Sequence, residues 1–224
     1  MGNDAKIYLS EQELQLMYSA DFILTKRRII DSVCEMFAAV SIEMQQFVKE
    51  AAHRLPEIAA RSSSKISKGE NYLLLPYVIL DYPKFFSHED IFAVRTMFWW
   101  GNFFSVTLQL SGIYQSKLQI SIFKRLTEHF PGKIFICVNK DQWQHHFEQD
   151  NYLPIQQFDE KDILQSVADR SFIKVAIRIP LQQPNAAQEQ IIKACKDLLR
   201  LVMPNFQGGE KDLLPETPTK GFDL

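Results

Sequence analysis

Arg95 and Asp81 are the charged residues of this 224-residue chain whose surroundings most call for a chemical explanation. Both stand in otherwise apolar, β-type sequence, "YLLLPYVILDYP" (Tyr72–Pro83) and "IFAVRTMFWW" (Ile91–Trp100). A guanidinium among apolar neighbours needs a partner, because an unpaired buried charge costs several kcal/mol. Two arrangements meet that need. Asp81, in the alternation Leu75, Tyr77, Ile79, Asp81, gives a structural ion pair at a sheet edge. Alternatively, Arg95 holds a ligand carboxylate or phosphate in its fork of N–H donors, with Tyr77, Tyr82 and Trp99 as pocket walls.

Other candidate chemistry is sparse. His145 and His146 are adjacent, so on a helix they point about 100° apart and do not share a metal as an i, i+4 pair would. His146 and Asp150 have the right spacing but lack a third ligand. His129 and the His88-Glu89-Asp90 run suit helix ends, and His53 has no evident partner. No metal site and no cofactor are expected. Cys137 lies inside "KIFICVN", a buried strand and a poor place for a reactive thiolate. The chain holds no G-x-S-x-G, Walker or G-x-G-x-x-G motif, so the hydrolase, P-loop and Rossmann readings lack their carriers.

The second unusual stretch is "MFWWGNFFSVTLQL" (Met97–Leu110). Gly101-Asn102 suits a two-residue hairpin turn. That register pairs Trp100 with Phe103, Trp99 with Phe104 and Arg95 with Leu108. It places Arg95, Met97, Trp99, Phe104, Val106 and Leu108 on a core face, and Trp100 and Phe103 together on a mixed face at the tip. A slip of one residue would exchange the faces. Most of these aromatics are explained as cross-strand pairs on a sheet that packs on helices; the excess at the tip, Trp100 and Phe103, would line a pocket mouth or meet another chain and is the candidate interface.

Composition excludes several classes. Lys+Arg 25 against Asp+Glu 27 gives no overall electrostatic attraction to nucleic acid or an anionic membrane. The N-terminus lacks the apolar stretch of a signal peptide, and no apolar run is long enough to cross a bilayer. Cys34, Cys137 and Cys195 are scattered and odd in number, which fits reduced thiols in a cytoplasmic protein.

The elements that must position these residues read as α+β. Ser10 and Glu13 form a capping box for a short helix. From Asp21 to about His53, apolar residues at Ile30, Val33, Phe37, Val40, Met44, Phe47 and Ala51 form one helical stripe. A polar loop follows (Arg61–Asn71). Five strands are expected, at 72–81, 91–100, 103–110, 133–139 and 171–179, in a mainly antiparallel sheet packed against N- and C-terminal helices. Pro76 makes the first an edge strand or marks a bulge. Helices are expected at 117–130, over "DQWQHHFEQD", over "DEKDILQSVADR" and at 186–203. One domain is expected over 1–206, with a helical part at 10–60, a sheet part at 72–203 and a disordered tail at 207–224. The expected function is a non-catalytic module that binds a small molecule or a protein through the aromatic hairpin, with homo-oligomers compatible. The alternative is an enzyme with a scattered site around Arg95, Asp81 and the nearby Tyr and Trp residues.

Overall fold

The computed structural model describes residues 7–129, 134–158 and 170–203. The fold is α+β, with a seven-stranded sheet rather than one of about five. The strands are β1 (Lys65–Tyr72), β2 (Leu75–Phe86), β3 (Ile91–Trp99), β4 (Phe103–Ser111), β5 (Ile134–Cys137), β6 (Tyr152–Pro154) and β7 (Phe172–Pro180). Their order is β1-β2-β3-β4-β7-β5-β6, and every neighbouring pair is antiparallel. The helices are α1 (Glu11–Tyr18), α2 (Ala20–Glu50), the short α3 (Glu57–Ala60), α4 (Gly112–His129) and α5 (Pro184–Arg200).

The helices cover one face of the sheet. α2 brings Ile30, Val33, Phe37, Val40, Met44 and Val48 to it, and α5 brings Ala187, Ile191, Ala194, Cys195, Leu198 and Leu199. They meet Val78, Leu80, Val94, Phe98, Phe104, Val106, Leu108, Val175 and Ile179 from the strands. Each large side chain buried this way contributes about 1.5–3 kcal/mol before entropy is counted. The opposite face is also covered, over its central strands, by the chain between β5 and β6, so both faces of β3 and β4 are buried.

Several expectations change. The supposed loop at Arg61–Asn71 holds β1, whose polar residues suit an exposed edge strand. β2 is therefore an inner strand, and the bulge alternative for Pro76 applies: the register of β1 shifts between Gly69 and Tyr72. β2 also continues past Tyr82-Pro83 through a second irregularity between Asp81 and Lys84. "DQWQHHFEQD" is not a helix but a run of turns and bends. The segment "DEKDILQSVADR" and the tail at 207–224 lie largely or wholly outside the described residues.

The hairpin register is one residue away from the two-residue turn. Trp99 pairs with Phe103, Phe98 with Phe104, Met97 with Ser105 and Arg95 with Thr107. The Asn102 N–H donates to the Trp99 carbonyl at 3.0 Å, and Gly101 takes φ +74°. Glycine thus occupies the third position of a four-residue turn, where type II geometry requires positive φ. The faces exchange as a result: Phe104, Val106 and Leu108 point at the helices, while Phe103, Ser105, Thr107 and Gln109 join Arg95 on the other side.

Candidate functional site

A band of polar side chains crosses the face away from the helices. Cross-strand partners share a face, and the register builds two rows. Asp81, Arg95, Thr107, Ala176 and Phe135 follow one another across β2, β3, β4, β7 and β5. Beside them Gln109 pairs with Lys174, and Cys137 with Tyr152. The chain from Val138 to Asn151 lies over this band.

Arg95 grips Asp81 with two donors: Nε to Oδ1 at 2.7 Å and Nη2 to Oδ2 at 3.0 Å. Parallel N–H···O bonds of this kind are the strongest ion-pair geometry. Arg95 Nη1 lies 3.3 Å from His145 Nε2, which accepts because a guanidinium only donates. Burial, reinforced by the positive charges of Lys174 and Arg95, holds the His145 pKa well below 6.5. The imidazole is therefore neutral, with its proton on Nδ1. The rings of Phe86 and Trp143 lie 5.7 and 5.8 Å from the guanidinium carbon and form the outer rim.

Lys174 is 2% exposed. Its ammonium donates to the carbonyls of Gln142 (3.0 Å) and Gln144, and no carboxylate of the described residues pairs with it. Burial lowers its pKa to about 8, against the pull of Cys137 and Asp141. Gln109 Nε2 donates to Gln142 Oε1 at 2.9 Å. Tyr72 accepts at its hydroxyl from the N–H groups of His145 (2.6 Å) and His146 (3.0 Å), and its carbonyl accepts from Trp99 Nε1 at 3.1 Å. Three sheet residues thereby hold the 142–146 stretch by its side chains and backbone. Tyr152 is 2% exposed, and its hydroxyl has no hydrogen-bond partner of good geometry among the described residues, although Thr107 stands alongside. Burial raises that phenol well above its usual pKa.

The structure brings together four of the five expected pocket residues and separates the fifth. Asp81, Arg95, Tyr77 and Trp99 share this face. Tyr82 belongs to the core under the helices, because the alternation that puts Tyr77, Ile79 and Asp81 on this face puts Val78, Leu80 and Tyr82 on the other. Tyr77 lies over Gly69, directly opposite on β1, where a Cβ would come within 2.5 Å of its ring. Trp99, Phe103, Ile79 and Met97 form an apolar cluster with Tyr72 and Tyr77. Trp100 and Phe103 do not share a patch: Phe103 is 7% exposed in that cluster, while Trp100 packs on the helix-side core against Phe98. His146 Nδ1 lies 3.7 Å from Asp150, and no metal-binding group of three or more ligands is present among the described residues.

Sequence reading missed Lys174, Gln109, Tyr152 and the role of His145. Part of the signal was present, since Val175, Ile177 and Ile179 alternate with Lys174 and Arg178 in β7. The contact of His145 with Arg95 spans 50 residues and depends on an irregular segment with no periodicity to read.

A second surface stands out by its exposure. Between residues 7 and 29, Ile7, Tyr8, Leu9, Leu16, Met17, Tyr18, Phe22, Ile23, Leu24 and Ile29 are all exposed. α1 buries no residue, and the first buried residue of α2 is Ile30. Ile23 lies seven residues before Ile30, on the same side of the helix, so the buried stripe of α2 continues past the body of the protein. Comparison of the chain with protein-family models, curated proteins and solved structures finds no match.

Proposed function

We propose that this protein is a non-catalytic interaction module, and that it binds its protein partner through the N-terminal helical arm, residues 7–29. The carrying observation is the ten large apolar side chains exposed there. An apolar surface of that extent marks an interaction site in a folded protein. The hairpin tip has a packing explanation, as Phe103 is buried and Trp100 rests on the core. The polar band has a structural one: Arg95 is engaged by Asp81 and His145, and Lys174 by backbone carbonyls. That leaves no side chain there poised as a nucleophile.

The test is a photo-crosslinking amino acid placed at Leu16, Phe22, Trp100 or Phe103 in the full chain, irradiated in the producing cell. Adducts from Leu16 and Phe22 are expected. Adducts from Trp100 and Phe103 alone would refute the arm reading and restore the hairpin.

A second reading rests on the charge of the polar band. A buried cation, Lys174, and a partly buried one, Arg95, stand there with one carboxylate in ion-pair contact, Asp81. A small anion that entered beneath the 138–151 chain would balance them. Phosphate or citrate at millimolar concentration would then raise the melting temperature of the wild type and not of Lys174→Met. Equal shifts in both proteins would refute this reading.

A further inference from the structure

We infer that the partner of the arm is a second copy of this chain, docked antiparallel about a two-fold axis near Ser19–Ala20. This inference rests on the arm reading above and adds the identity of the partner. Two observations carry it.

The first is charge. Residues 7–25 hold Glu11, Glu13 and Asp21 and no lysine or arginine, and Lys26, Arg27 and Arg28 follow directly. The arm is therefore acidic at its outer end, apolar in the middle apart from Asp21, and basic where it joins the body. An isologous contact sets each surface against itself in reverse. Antiparallel pairing about Ser19–Ala20 puts Glu11 opposite Arg28 of the other copy, and Glu13 opposite Lys26, which also contacts Glu70 of its own chain. It also puts Leu16 opposite Ile23 and Met17 opposite Phe22. The parallel alternative stacks like charges. Arg27 and Arg28 are free to take part, since their contacts, with Asp31 at 3.9 Å and Thr25 at 2.9 Å, are exposed and local. Asp21, Leu24, Thr25, Arg27, Arg28 and Asp31 line a surface hollow of about 720 Å³, at the place where the outer end of the other arm docks.

The second is area. A buried aliphatic or aromatic side chain that contributes 1.5–3 kcal/mol at about 25 cal/mol per Å² covers roughly 60–120 Å². Ten such side chains on each copy, on average about 60% exposed in the monomer, offer at most roughly 700–1,400 Å² in total, which reaches the lower part of the range of stable protein interfaces. A contact with a short peptide would leave much of the arm uncovered.

The experiment is sedimentation equilibrium of the full chain from about 1 to 100 µM, a range that brackets a micromolar dissociation constant. Three variants accompany the wild type: Glu11→Lys, Arg28→Glu, and Phe22→Ser with Ile23→Ser. All these residues are exposed, and circular dichroism checks that each variant folds. The wild type should rise with concentration to twice its 26.1 kDa. Each charge reversal should weaken association about tenfold, because each contact occurs twice in the dimer. An equimolar mixture of Glu11→Lys and Arg28→Glu should regain most of the lost affinity, since both contacts of the mixed dimer are again between opposite charges. The apolar double variant should weaken association a hundredfold or more. A wild type that stays monomeric at about 100 µM overturns the inference; if arm crosslinks then join another polypeptide, the arm reading survives. A dimer that persists unchanged in the apolar variant overturns the inference, since its contact then lies outside the arm; the crosslinks decide the arm reading separately. A mixture no tighter than either charge variant alone overturns the antiparallel register.

Discussion

The β1–β2 turn should be stabilised by replacing both of its leucines. Leu73 and Leu74 link Tyr72 to Leu75, which pair directly, and they take φ +46° and +66°. A two-residue turn with positive φ at both positions favours Asn-Gly, because a Cβ there crowds the backbone. The left-handed conformation costs a non-glycine residue roughly 1–2 kcal/mol. The two leucines also gain little by packing, since they are 56% and 87% exposed. Against the relief stand up to about 1 kcal/mol of lost Leu73 burial and about 0.5–1 kcal/mol of glycine entropy in the unfolded chain. Leu73→Asn with Leu74→Gly should therefore gain about 1–2 kcal/mol, while Asn71 Oδ1 still accepts from the residue 74 N–H. Urea denaturation reads the gain as a higher midpoint at unchanged slope. A neutral or lower midpoint would mean that the leucines have contacts worth more than the strain, and the reasoning would be wrong.

Arg95→Met should cost about 3–5 kcal/mol because it strands a buried carboxylate, and the double change with Asp81→Asn should cost less; additive losses would refute direct coupling. Lys174, with a folded pKa of about 8 against 10.5, binds its proton less tightly in the folded state, so its contribution to stability should rise from pH 8 to 10.5 by about 3 kcal/mol. The buried phenols and thiols, with raised pKa values, oppose this rise above about pH 9; the difference between wild type and Lys174→Met isolates it, and parallel pH curves would refute it. His145, also lowered, should cost stability as pH falls below about 6.5, and His145→Gln should flatten that limb of the curve. Cys137 and Cys195, buried and pushed to higher pKa, the latter to about 12, should react with thiol reagents only on the timescale of unfolding; rapid modification of either in native protein would refute this.

Much of the fold was legible because it rests on local pattern. The α2 stripe, the capping box at Ser10 and Glu13, and the apolar strands β2, β3, β4, β5 and β7 all announce themselves within short windows. The failures share a cause. β1 is an edge strand with no buried residue, so nothing in "KISKGENY" alternates strongly enough to separate it from a loop. β6 has three residues and exists only because β5 pairs with it. The hairpin register turned on whether glycine fills the first position of a two-residue turn or the third of a four-residue one, and the dipeptide Gly-Asn suits both. That one residue decided whether Arg95 sat among Val106 and Leu108 or beside Thr107. Both registers left the Arg95–Asp81 contact intact, since it is made across β2 and β3.

The arm was hidden for a different reason. An amphipathic stripe states which side of a helix is apolar, but not how far the surface that covers it extends. Along α2 the period runs unbroken through Ile23 and Ile30, yet Ile30 is 7% exposed and Ile23 is 58% exposed. Nothing local distinguishes them, because the sheet edge lies between. Lys26, at the boundary, pairs with Glu70, and Asp31 meets Lys68, so the last contacts of α2 with the sheet are ion pairs to β1. Beyond them the apolar pattern continues without a partner from its own chain among the described residues. A sequence that served only its own core would turn polar at Lys26. Here it turns basic for three residues, then mainly apolar, then acidic, the alternation on which the proposed two-fold contact rests.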